Sequence, residues 1–212
     1  MGNFLRNVWV CSGLALTMCT VLAAQDTGSS DALSLESKSV TIDRQTNLIE
    51  WGFPEFTQGD IHIRADRALA TSDNFEQRGD LRFVGHVRIT LEAAMLEADS
   101  AVFTFDNGQL LHGKLEGSPV SLTGVEASTK NPIRGEATAF EYDKAERTLR
   151  MEGNARVIRT NNQGSYEIRG CDLIYNLEAE SVRSGSTDCP EPFRFRKLPP
   201  PTDQPAPADS QQ

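Results

Sequence analysis

Acidic side chains recur at matched places along the chain. Asp66 sits in Ile63-Arg64-Ala65-Asp66-Arg67-Ala68, Asp99 in Leu96-Glu97-Ala98-Asp99-Ser100-Ala101, and Glu136 in Ile133-Arg134-Gly135-Glu136-Ala137. Paired carboxylates can do acid–base work on sugars. Recurrence at one equivalent position argues instead for a structural role, because a short acid can hydrogen-bond local backbone at a bend. No GxSxG, phosphate loop or HExxH accompanies them, so no enzyme is predicted. His62, His86 and His112 show no ligand-like spacing with each other or with the cysteines, and read as exposed strand histidines. No metal or cofactor is expected. Cys11 and Cys19 fall in the N-terminal apolar stretch. Cys171 and Cys189 remain, 189 − 171 = 18 positions apart. In an oxidising compartment they could join, contributing ~3 kcal/mol by closing that loop. Two free thiols are the alternative.

The elements that must carry these residues form a repeat of about 33 residues, the range of stacked repeat architectures. Glycines mark it at positions 52, 85, 117, 153 and 185, with spacings of 33, 32, 36 and 32. Between them lie the small-acidic segments, a fourth being Ile168-Arg169-Gly170-Cys171-Asp172. The first unit, Leu35-Glu36-Ser37-Lys38-Ser39, is degenerate, as end repeats often are. Turn residues follow at Asp43 to Asn47, Asp73-Asn74, Asp106-Asn107-Gly108, Asp143-Lys144 and Asn176. Apolar residues alternate in steps of two, the period of strands: Leu81 and Phe83, Val87 and Ile89, Phe103 and Phe105.

The parity of that alternation flips across each small-acidic segment. Leu96 and Ala98 are even, Phe103 and Phe105 odd; Ile133 is odd, Phe140 and Tyr142 even. A straight strand would turn its second half outward, so a bulge or corner is predicted there. The expected fold is all-β: a twisted antiparallel β jelly roll, solenoid-like, of about five hairpin repeats. Two facing sheets would enclose an apolar interior and leave an open edge at each end.

Composition sets outer bounds. A chain of 212 residues suits one domain, and 38% hydrophobic with 24% charged residues suits a packed one. Net charge is −9, and losing Arg6 with a leader gives 20 − 30 = −10. Nucleic acid is therefore excluded as a partner, since its binding rests on Lys and Arg. Residues 1–24 read as a signal peptide: Arg6, an apolar stretch from Val8 to Ala23, and small residues at Ala23-Ala24 for cleavage. An uncleaved anchor is the alternative, though the stretch falls short of the ~20 residues that span a bilayer. Residues 25–34 read as a linker, 35–198 as the β domain, and 199–212 as a disordered Pro-rich tail.

Four segments carry a family resemblance: Ile63 to Ala68, Val84-Gly85-His86-Val87-Arg88-Ile89, Leu96 to Ala101, and Met151-Glu152-Gly153-Asn154-Ala155-Arg156-Val157. In register, they resemble the recurring patterns of the LptA/OstA family of periplasmic lipopolysaccharide-transport proteins. The resemblance implies an exported, periplasmic protein that stacks edge to edge, with a possible head-to-tail homo-oligomer. It would bridge inner-membrane and outer-membrane transport components and carry lipid A acyl chains in an apolar trough. Trp51-Gly52-Phe53-Pro54 and the Cys171/Cys189 pair depart from the pattern.

Acyl burial at ~0.8 kcal/mol per CH₂ would suffice for binding although protein and ligand are both anionic. The candidate lipid contacts are inward residues. Ile61, Ile63, Phe83, Val87 and Ile89 come first; Leu96, Phe103, Phe105 and Leu115 follow; Phe140, Tyr142, Met151 and Val157 complete them. Phe103 and Phe105 lie mid-stack. Each would also be buried in any sandwich. Phe193 to Leu198 alternates like a final strand, either a basic rim for lipid phosphates or a charged edge that discourages aggregation. Three rival readings stand: a membrane-anchored component of the same system, a β scaffold that binds only proteins, and a polysaccharide enzyme.

Overall fold

The computed structural model describes residues 32–186, 189 and 192–199. The 1–24 leader, most of the 25–34 linker, and all but the first residue of the 199–212 tail lie outside these.

Fourteen antiparallel strands form one sheet, and no helix occurs among the described residues. Six short strands come first: β1 (Ser34–Glu36), β2 (Ser39–Asp43), β3 (Leu48–Gly52), β4 (Glu55–Gln58), β5 (Ile61–Arg64) and β6 (Arg67–Ala70). Six long strands follow: β7 (Arg78–Leu91), β8 (Ala94–Asp106), β9 (Gln109–Val125), β10 (Pro132–Asp143), β11 (Thr148–Asn161) and β12 (Gly164–Asn176). β13 (Ser181–Ser184) and β14 (Arg194–Leu198) end the sheet.

The pairing forks at both ends. β7 pairs with β6 over Arg82–Val84 and with β5 over Arg88–Leu91. β6 continues to β3 and β2, while β5 continues to β4 and β1. At the far end β12 pairs with β13 through Leu173–Asn176 and with β14 through Ser165–Arg169. One leaf thus runs from β2 to β13 and the other from β1 to β14. The six long strands belong to both and bend where the leaves join.

The bend is a column of bulges. Val84 pairs with Ser100 and Val87 with Ala98, so Gly85 and His86 together oppose Asp99. Glu152 pairs with Asp172 and Ala155 with Gly170, so Gly153 and Asn154 oppose Cys171. Two residues against one is the definition of a β-bulge. All four bulged residues take positive φ, from 46° at His86 to 81° at Gly85. Gly and Asn reach that region readily. His86 holds it with its ring Nδ1 2.8 Å from Asp66 Oδ2.

This is the corner expected from the parity flip, with a refinement. β8, β10 and β12 flip their buried face across the small-acidic segment, whereas β7 and β11 keep their parity and carry the extra residue. The corner acids do not serve local backbone as expected. The Asp66 amide already donates to the Gly85 carbonyl at 2.9 Å, so the ladder leaves its carboxylate free to reach His86. Asp172 likewise takes two hydrogen bonds from Arg150, at 3.0 and 2.5 Å.

Candidate lipid trough and its rim

Alternation along each strand, corrected at the corner, turns one side chain in two toward the space between the leaves. All of the residues named above as lipid contacts fall there. Ile61 and Ile63 come from β5, Phe83, Val87 and Ile89 from β7, Leu96, Phe103 and Phe105 from β8, and Leu115 from β9. Phe140 and Tyr142 come from β10, and Met151 and Val157 from β11. They form a single cluster, each buried, with Tyr142 the most open at 8%.

The N-terminal half of this interior is aromatic. Phe56 of one leaf meets Phe83 and Phe105 of the other edge to face, with ring centroids 6.3 and 5.5 Å apart. Phe83 continues to Phe103 at 5.9 Å, and Phe105 to Phe75 at 5.5 Å. Such pairs contribute beyond their buried area. The C-terminal half is aliphatic apart from Phe140, Tyr142 and Tyr175. Burial pushes both phenols up to about 12, so they stay neutral and the interior carries no charge from them. Phe56, Leu81, Leu110, Leu149 and Leu173 belong to the same core, although the lipid-contact reading passed over them.

Opposite the corner the two leaves meet again at their turns, and this rim is closed. Gln58, at the end of β4, donates from Nε2 to the Gly108 carbonyl at 2.7 Å and accepts from the Leu110 amide at 2.9 Å. Glu92, in the β7–β8 turn, pairs with Arg147 in the β10–β11 turn. Ser128, in the β9–β10 turn, donates from its hydroxyl and, at 2.9 Å, from its amide to Glu180 in the β12–β13 turn. Each contact ties a turn of the β1–β14 leaf to one of the β2–β13 leaf. Gln58 left a sequence signal: it shares parity with Phe56 and precedes the Gly59-Asp60 turn, a polar residue at an inward position. The other two left none, because Glu92, Arg147, Ser128 and Glu180 are polar residues in turns, where polar residues are ordinary.

The C-terminal end differs from the rim. Phe195 of β14 stacks on Tyr166 at 5.6 Å yet remains 62% exposed. With Ile168 and Arg159 these rings border an open hollow of about 370 Å³ at the end of the interior. On the opposite face of β12, Glu167 lies buried among Arg156, Arg169 and Arg196. Burial pushes its carboxyl up, but the three guanidinium hydrogen bonds outweigh that and bring it down to about 2. Nothing in the sequence announced this cluster, since its members come from three strands. Cys171, at the corner, is placed as a bonded pair with Cys189, with Cα atoms 6.0 Å apart.

The histidines are exposed on the outer faces, and His86 is raised above its ordinary pKa by the hydrogen bond and charge of Asp66. No group of three or more His, Cys, Asp or Glu among the described residues could hold a metal ion.

A bent antiparallel sheet folded around one apolar interior is thus in place. The family profile described as "LptA/(LptD N-terminal domain) LPS transport protein" matches residues 70–181, just over half of the 212. The chain belongs to this family. The LptA/LptD N-terminal family comprises transport scaffolds, not enzymes, and its general role is lipopolysaccharide transport. The matched span runs from the end of β6 to the start of β13, so it takes in all six long strands. No curated protein matches the sequence. Among solved structures, the chain is similar to LptH of Pseudomonas aeruginosa, described as the LptA-homologous periplasmic component of a conserved lipopolysaccharide transport device. Identity is 12%, TM-score 0.49, and the match covers 80% of this chain and 99% of that one.

Proposed function

We propose that the chain is an exported periplasmic carrier that holds lipopolysaccharide by its acyl chains between the two leaves. In this reading it bridges inner-membrane and outer-membrane transport components by stacking edge to edge. The observation that carries it is the continuous apolar interior, walled by two leaves that share their strands only at the corner and meet elsewhere through side-chain contacts. Acyl chains can replace the side-chain contacts there with contacts of the same kind, because both are apolar. Each chain of about a dozen carbons gains ~10 kcal/mol gross by leaving water. The unpaired edges of β1 and β2 at one end and of β13 and β14 at the other are suited to strand addition.

A photoreactive phenylalanine in place of Phe103 tests this in living cells, with the outward-facing Thr104 as control. Ultraviolet adducts that blot for lipopolysaccharide from position 103, and none from 104, are expected. No adduct from position 103 or from a second inward site, Phe140, would leave a scaffold that binds only proteins.

A further inference from the structure

Among the described residues, the rim between Glu92 and Glu180 leaves a crevice too small for a lipid. The crevice there holds about 30 Å³ and is lined from both leaves, by Leu91, Ala94, Leu122 and Ile133 on one side and Tyr175 and Leu177 on the other. Four of these, Leu91, Leu122, Ile133 and Tyr175, belong to the core cluster, so the core reaches the surface at this crevice. Glu92 and Glu180 also line it, and these two residues anchor the two exposed rim contacts.

The three rim contacts differ in strength. Gln58 is buried at 1% and bonds two backbone groups, so breaking it strands polar atoms away from water. The Glu92–Arg147 pair has side chains 27% and 46% exposed. Ser128 is exposed and Glu180 half-buried, and the hydrogen bond between them faces solvent. Exposed polar pairs are weak, because water replaces each partner at little cost. The rim is therefore firmly held near the N-terminal end and loosely held from β7 onward.

We propose that acyl chains pass into the interior sideways, through the rim between Glu92 and Glu180, when the Glu92–Arg147 and Ser128–Glu180 contacts part. The Gln58 contact stays closed and acts as the fixed end. This rests on the transport reading above and adds a route and two gating contacts to it. A polar pair suits the role: it shields the apolar seam from water when shut, and its halves are rehydrated when open.

The test follows uptake of cis-parinaric acid, whose fluorescence rises on burial, by the purified full chain. One variant carries Glu92→Cys with Arg147→Cys, joined by a cleavable bis-maleimide; the second carries Ser128→Ala with Glu180→Ala. Joining the first should slow uptake by about tenfold or more, and cleaving the linker should restore it. The second should take up the probe about two- to fivefold faster than the unaltered chain, the scale of an exposed polar contact. Unaltered chain given the same reagents controls for reaction at Cys171 and Cys189. Uptake by the joined variant at the unaltered rate would overturn the port and leave the trough standing. Failure of the unaltered chain to take up probe would remove the trough, and the port with it.

Discussion

Gly153 and Thr138 face each other across the corner with no space for a side chain between them. A Cβ on Gly153 would lie 2.7 Å from Thr138 Oγ1, and that hydroxyl donates to the Gly153 carbonyl at 3.2 Å. Gly153 also holds φ at +75°. Gly153→Ala meets both a steric and a conformational penalty, of about 1–3 kcal/mol together. Gly108 has a similar φ of +74° but open space around it. Gly108→Ala should therefore cost less, about 1 kcal/mol. Urea midpoints of the two variants decide this, and equal losses would mean that crowding at the corner contributes nothing.

Gln58 makes a second prediction. Gln58→Leu keeps the volume and removes both hydrogen bonds, leaving the Gly108 carbonyl and Leu110 amide without their partner. A loss of about 1–3 kcal/mol is expected. Hydrogen exchange at the Leu110 amide should quicken more than exchange at amides in the middle of β9. An unchanged Leu110 rate would show that water already satisfies these groups.

Much of this was legible in the sequence, and the reason is geometric. A two-residue period reports which face is buried without reference to any other strand, so the inward residues from Ile61 to Val157 could be read locally. The parity flip at Ala98-Asp99 or Glu136-Ala137 is also local, and it located the corner. Partners across strands are not local. The Arg150–Asp172 pair, the arginines around Glu167 and the rim contact of Glu92 with Arg147 depend on register and twist, which the period does not encode. The burial of Phe103 was legible, but its tightness was not: its ring packs against Gly113, where any Cβ would collide with it. A bulky polar residue at 103 would not fit that packing. Even Phe103→Ala should cost about 3–5 kcal/mol.

Glu167 predicts a pH dependence. Its carboxyl titrates at about 2 in the folded chain, against an ordinary 4.5. A depressed folded value means that the unfolded chain takes up the proton first as pH falls. The stabilisation is whole above about pH 4.5 and fades toward pH 2. Glu167→Gln should lower the urea midpoint at pH 7, and the gap from the unaltered chain should narrow as pH drops to about 3. A constant gap over that range would show that the arginines hold Glu167 by packing and not by charge.

The Cys171–Cys189 pair is expected to govern the last strand. The chain leaves β13 in one leaf and reaches β14 in the other, and Cys189 lies on that crossing. The Cys171 amide donates to Cys189 Sγ at 3.2 Å, and β14 is then held by its ladder from Ser165–Leu198 to Arg169–Arg194. Closing an 18-residue loop contributes ~3 kcal/mol in the chain-entropy account. An edge strand of five residues with four of them exposed has little else to hold it. Cys189→Ser, or reductant, should therefore raise hydrogen exchange across Arg194–Leu198 while β8 and β9 keep their protection. Freed of β14, the Ser165–Arg169 edge becomes open to pairing, so elution on a sizing column should move toward larger species. Arg196 leaves with the strand, which raises the Glu167 carboxyl from about 2 toward its ordinary value and moves the acid limb of stability to higher pH. Two reactive thiols in the denatured, unreduced protein, or identical exchange with and without reductant, would remove the disulfide from this role.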